Sequence, residues 1–144
     1  MVWDEFISQH DQIFLVLSGH IGGQGHGIDY NDNGHEVHQM LSDYQPRAHV
    51  AKTKDPENRY PDNTQTGDGW LRLLIFNLDS PKPSVHVRTY STHYGKFSSE
   101  IPEYAAWYKA GERQADTPDA EFMERDDFVV ELAGFHERFD DARP

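Results

Sequence analysis

Ile13-Phe14-Leu15-Val16-Leu17-Ser18-Gly19-His20-Ile21-Gly22-Gly23-Gln24-Gly25-His26-Gly27 is the stretch on which the reading of this chain turns. Its first five residues form a short, uninterrupted apolar run, the pattern of a strand buried on both faces. The run stops at Ser18-Gly19, and five glycines fall between Gly19 and Gly27. Backbone so rich in glycine can adopt positive φ and approach a ligand closely, which predicts a loop. His20 leaves the end of the strand with its Cα held by the sheet, and the neighbouring glycines leave room for an ion beside the backbone.

Working outward, Val2 to His10 places Trp3, Phe6 and Ile7 at helical spacing with acids in the first turn, which predicts a short amphipathic helix packed on a sheet. Downstream, Ile28-Asp29-Tyr30 and Val37 to Tyr44 flank Asn31-Asp32-Asn33-Gly34, a strand, turn and strand that predict a hairpin. Residues Gln45 to Asp68 are polar and without period, which predicts a long surface loop or insertion. Trp70 to Phe76 and Ser84 to Tyr90 enclose Ser80-Pro81-Lys82-Pro83 and read as antiparallel neighbours. Ile101 to Glu112 reads as a helix entered at Pro102 and closed by Gly111. Arg113 to Glu121 reads as an acidic linker, Phe128 to Leu132 as a last strand, and Glu137 to Pro144 as a frayed tail. The expected class is an α+β or α/β sandwich, mostly antiparallel strands with a few short helices.

A chain of 144 residues is the size of one domain or part of one. Its 36% apolar content and mean hydropathy of -0.82 describe a strongly hydrophilic surface. The formal net charge of -12 argues against nucleic acid and against anionic membrane surfaces as partners. No apolar stretch approaches the length of a membrane span, and the opening Met1-Val2-Trp3-Asp4-Glu5 does not read as a secretory signal. Without cysteine there is no thiolate metal site, and the compartment is left undecided.

The order of features carries a resemblance. An apolar strand leads into Leu17-Ser18-Gly19-His20, a glycine-rich stretch and a hairpin turn. Leu41-Ser42-Asp43-Tyr44-Gln45, Gly67-Asp68-Gly69-Trp70-Leu71-Arg72-Leu73-Leu74 and Val87-Arg88-Thr89-Tyr90-Ser91 follow. This series resembles the C-terminal end of calcineurin-like metallophosphoesterases. The resemblance covers residues 1–95, with the helix, linker and final strand of 96–144 belonging to the same domain. It implies a partial metallophosphoesterase-like fold and hydrolysis of phosphomonoester or phosphodiester bonds. In that family a pair of divalent transition metal ions (Zn, Fe or Mn) polarises the phosphate ester and activates a water.

The resemblance makes His20 a metal ligand. The family's Gly-His-x-His pattern has its second histidine where this chain has Gly22, and His26, further along the glycine-rich stretch, is the candidate to replace it. The family's Asp-x-His, Gly-Asp-x-x-Asp and Gly-Asn-His-Glu motifs are absent from this sequence, and Gly67-Asp68-Gly69 sits at the wrong end to stand for one of them. A catalytic metal needs about three protein ligands. The chain alone is therefore expected to be inert and metal-free, the phosphate-ester substrate belonging to a complete domain with a missing N-terminal half as partner. No catalytic acid or base is assigned.

The alternative is a non-enzymatic β-rich module binding glycan or protein. Tyr90, Tyr94, Phe97, Tyr104, Trp107 and Tyr108 could form a sugar-stacking face, although aromatics at strand and helix spacing read first as core. Asp29, Asn31 and Asp32 lack the spacing of an EF-hand and read as turn formers. His10, His49 and His136 are expected in solvent, and His35, His38 and His86 on the polar faces of strands.

Overall fold

The computed structural model describes residues 2–49 and 67–139. It is an α+β arrangement of two mostly antiparallel sheets and a few short helices. The first sheet contains β1 (Leu15–Ser18), β2 (Gly23–Tyr30) and β3 (Glu36–Asp43) in the order β1-β3-β2. β1 runs parallel to β3, pairing Leu15 with His38 and Ser18 with Leu41, whereas β2 runs antiparallel to it.

The expected hairpin is β2 with β3. Its turn is fixed by Asn31, whose Oδ1 accepts from the backbone N–H groups of Asn33 at 3.1 Å and His35 at 2.9 Å. The left-handed φ of 79° at Gly34 completes the reversal. The glycine-rich stretch departs from expectation, because all but its first residues belong to β2. Glycine carries no side chain through which alternation could announce a strand, and the ladder with β3 supplies the order instead.

β1 is also corrected. It lies at the edge of its sheet, with Leu15 and Val16 half-buried and Leu17 60% exposed, so it is not covered on both faces. The N-terminal helix shortens to one π-helical turn, Trp3–Ile7, with no fully buried residue.

The second sheet is built on β5 (Ser84–Ser91). β4 (Trp70–Asn77) pairs along one edge, in the register Trp70 to Ser91 through Asn77 to Ser84. Along the other edge lie β6 (Lys96–Phe97) and β7 (Asp127–Glu131). Period-two patterning is clean in β5: Val85, Val87, Thr89 and Ser91 are buried while His86, Arg88 and Tyr90 face outward. Met40 of β3, Val85 and Val87 of β5 and Val130 of β7 form one core cluster, joined by Phe14, Leu15, Leu74 and Phe128, and through it the two sheets meet.

A second cluster gathers Tyr44, Trp70, Ile101, Tyr104, Ala105, Tyr108 and Phe122. Of the aromatics expected in the core, Tyr104 and Tyr108 are found here with Tyr94 and Trp107 packed against them, whereas Tyr90 and Phe97 lie outside the cluster, ring against ring. The helix predicted over Ile101 to Glu112 is only α1 (Tyr104–Tyr108), and its exit runs through Arg113 at φ 58° rather than ending on Gly111. The segment read as linker contains α2 (Asp119–Glu124), which buries Phe122.

The tail begins with α3 (Phe135–Phe139), where Arg138 donates to the backbone carbonyls of Asp11, of Ile13 at 2.7 Å and of Glu36 at 3.0 Å, tying it to the first sheet. Residues 140–144 of the expected frayed tail, and 50–66 of the expected loop, lie outside the described residues. Among the described residues no helix is long and apolar enough to cross a membrane.

Candidate functional site

From Ser18 the chain crosses over the C-terminal end of β3 and begins β2 at Gly23. His20 stands on this crossover, exposed to solvent, with a φ of 74°. A left-handed histidine is uncommon and costs about 1–3 kcal/mol, so it persists only where the surroundings hold it. The glycines beside it are partly spent on packing. A β-carbon at Gly22 would lie 2.5 Å from Pro46 Cγ, and Gly23 takes φ 117°.

The structure places His26 elsewhere, opposite Met40 in the β2–β3 ladder. Its Nε2 lies 3.2 Å from Nδ1 of His38, and its ring stacks on Phe128 with centroids 5.3 Å apart. His38, expected on a polar face, is 2% exposed, with Nε2 3.7 Å from Glu36 Oε2. Burial holds both imidazoles below the ordinary histidine pKa, with Arg72 adding to the effect at His26. Glu36 opposes it at His38 and favours the tautomer protonated on Nε2. His38 Nδ1 then accepts from His26 Nε2–H.

Beside His26 an open cleft of about 460 Å³ is bounded by Gln24, Glu121, Glu124, Arg125 and Phe128. Arg125 is already engaged, donating to Gln114 Oε1 at 2.6 Å and Glu121 Oε1 at 2.5 Å. Among the described residues no three His, Asp or Glu side chains come together as a metal-holding group. The donors present in the described part of this chain do not make a complete site for a metal ion.

The densest polar constellation surrounds Arg47, inside the stretch read as surface loop. Its guanidinium has no solvent exposure and donates to Asp126 Oδ2 at 2.7 Å, Gln24 Oε1 at 2.6 Å, both oxygens of Glu112, and the Tyr104 hydroxyl oxygen. Asp126, equally buried, also accepts from Tyr44 at 2.8 Å, Thr89 at 3.1 Å, Tyr104 at 2.9 Å and Arg72 at 3.1 Å. Burial pushes the Tyr44 and Tyr104 phenols well above their ordinary range, and the Asp126 carboxylate pushes them further.

A second buried carboxylate, Asp68, receives the hydroxyls of Tyr108 and Tyr94 and the backbone N–H of His49 at 2.7 Å. Apart from Arg72 Nε, which is buried without a hydrogen-bond partner, these groups satisfy one another within the fold, and they pin β3, β5, α1 and the turn before β7. Their one sequence signal was Gly67-Asp68-Gly69, whose glycines take φ 60° and 66°.

Three of the remaining histidines differ from expectation, whereas His86 stands on the outward face of β5 as expected. His49 stacks on Trp107 at 4.3 Å, His10 Nδ1 lies 2.6 Å from the Phe6 carbonyl and His136 Nε2 2.9 Å from that of Ser80, so none stands fully in solvent. His35 and His86 face Asp11 and Asp127, each at 2.7 Å. No family model matches the chain, and neither the curated proteins nor the solved structures contain a match to it.

Proposed function

We propose that this chain is the C-terminal segment of a metal-dependent phosphoesterase and contributes His20 to its metal centre. The reading rests on the ordered motifs from Leu17-Ser18-Gly19-His20 through Val87-Arg88-Thr89-Tyr90-Ser91, within a partial metallophosphoesterase-like sandwich. The observation that supports it is the conformation of His20. An exposed histidine held at positive φ just beyond a strand end is presented outward, and local strain of this kind gathers at functional positions. One such donor falls short of the three or so a catalytic ion needs, so no hydrolytic step is derived from these residues. The other donors come from polypeptide beyond this sequence, and the segment alone is inert.

The test is hydrolysis of p-nitrophenyl phosphate and bis-p-nitrophenyl phosphate, with Mn or Zn supplied, by the longest polypeptide encoded at this locus. His20→Ala is expected to lower the rate by more than about 100-fold, since loss even of an outer-shell partner costs about 10–100-fold, while the melting temperature stays unchanged. Full activity in the variant would end the proposal. In the alternative binding module Tyr104 and Tyr108 would take no part in a glycan platform, because both are buried. It rests instead on the outer face of the second sheet.

A further inference from the structure

We infer that this chain associates with a second copy of itself through β4, joining two four-stranded sheets edge to edge about a two-fold axis at Leu73. Among the described residues β4 pairs only with β5, leaving eight residues of open edge. Open edges are ordinarily guarded by lysine, proline or a bulge. β4, Trp-Leu-Arg-Leu-Leu-Ile-Phe-Asn, has none of the three in its sequence or its continuous register, and the inward charge that can also guard an edge, here Arg72, is already neutralised by Asp126 and bonded to the Leu41 carbonyl within the fold.

Of the four outward side chains of the strand only Asn77, at its end, is polar: Leu71 is 37% exposed, Leu73 36% and Ile75 50%, and Val129 on β7 extends the face at 64%. Their exposed surface amounts to a few hundred Å², the size of patch that on a monomer marks an interaction site. Backbone pairing along the edge and the neighbouring side chains would bring it toward the roughly 800 Å² each partner gives to a standard interface.

Register selects the partner. When β4 meets its own copy antiparallel with Leu73 opposite Leu73, Leu71 falls opposite Ile75 in both halves, and Asn77 falls opposite Gly69 beyond the strand, so every side chain paired across the seam on the outward face within β4 is apolar. A slip of one residue would set outward side chains against inward ones. A slip of two toward the strand end would place Leu71 opposite Asn77.

Charge permits the contact despite a net -12 per chain. The charged groups on this face cancel one another: His86 and Arg88 both engage Asp127, at 2.7 and 3.4 Å, and the guanidinium of Arg88 lies 3.5 Å from the centroid of the Phe97 ring. They form a polar margin beside an apolar centre, the usual anatomy of an interface.

Sedimentation velocity across a hundredfold range of concentration should show a discrete dimer, weakened at least tenfold by Leu73→Lys in a chain that still melts cooperatively. The absence of native cysteine supplies a second arm that does not depend on how the lysine variant folds. Leu73→Cys should oxidise to a covalent dimer far faster than Leu17→Cys, whose site is exposed elsewhere. A wild-type chain that stays monomeric, open-ended aggregates in place of a dimer, or equal oxidation of the two cysteine variants would each overturn the inference. None of these outcomes bears on His20.

Discussion

Arg47→Met should be among the most damaging single changes in this chain. Methionine fills much of the same volume and offers no donor, so Glu112, with 1% of its side chain exposed, loses its guanidinium partner, and Asp126 loses one of its two. Removing one member of a buried ion pair costs about 3–5 kcal/mol, because the surviving charge stays in a medium that solvates it poorly. For a chain of this size each kcal/mol corresponds to about 2–4 °C, so the melting temperature should fall by about 6–20 °C.

Urea titrations at pH 7, followed by tryptophan fluorescence, would measure the loss directly, and an unchanged m-value would show that the denatured state is not the cause. Arg47→Lys should recover less than half of the loss, since a point charge cannot span Asp126, Glu112 and Gln24 at once. A loss below about 1 kcal/mol would mean that water reaches Asp126 and Glu112, and would refute the burial of charge on which this reasoning depends.

Other consequences follow from the same geometry. The burial that depresses the pKa values of His26 and His38 favours their neutral forms, so their contribution to stability is present above the unfolded value of about 6.5 and is lost as pH falls from there through the folded values. Denaturation midpoints should drop between pH 7 and pH 5, and His38→Asn should flatten that slope; an unchanged slope would refute the pairing. The Tyr44, Tyr104 and Tyr108 phenols are raised by burial first and nearby carboxylates second, so absorbance titration should show them ionising only when the chain unfolds. Tyr108→Phe takes a donor from Asp68 and the acceptor from Trp70 Nε1, 3.1 Å away, and should cost about 1–3 kcal/mol with a shift in tryptophan emission. At Gly69, φ 66°, an alanine β-carbon would lie 2.5 Å from Thr92 Oγ1 and 3.2 Å from the His93 nitrogen. Gly69→Ala should therefore destabilise by more than about 1 kcal/mol in the same melts.

The parts of the fold legible in the sequence are those where side chains advertise the backbone. β4 and β5 show their apolar residues around Pro81-Lys82-Pro83, and the Asn33-Gly34 turn announces the hairpin. The first half of β2 was hidden because Gly23, Gly25 and Gly27 carry nothing to display a period of two, and its ladder depends on β3, up to twenty residues away. The buried position of Arg47 was hidden for a different reason. Its partners Glu112 and Asp126 lie 65 and 79 residues downstream, at the end of the segment read as a helix and just before the last strand. Charges buried in pairs look like surface charges until tertiary structure brings them together. Of the proposed metal centre the sequence singles out His20 and His26, through the strand-end Gly19-His20, the glycine-rich stretch and the motifs that follow in order. The His26–His38 contact joins neighbouring strands across a turn and had no signature of its own.

If His20 is one donor of a phosphoesterase metal centre, polypeptide outside this sequence must complete that centre. The nucleotide sequence immediately upstream of the codon for Met1, translated in all frames, puts this to the plainest test. Asp-x-His, Gly-Asp-x-x-Asp and Gly-Asn-His-Glu are expected there, in that order, within the preceding domain length. An upstream region without them, in any frame, would contradict the phosphoesterase reading and leave the β-rich binding module in its place.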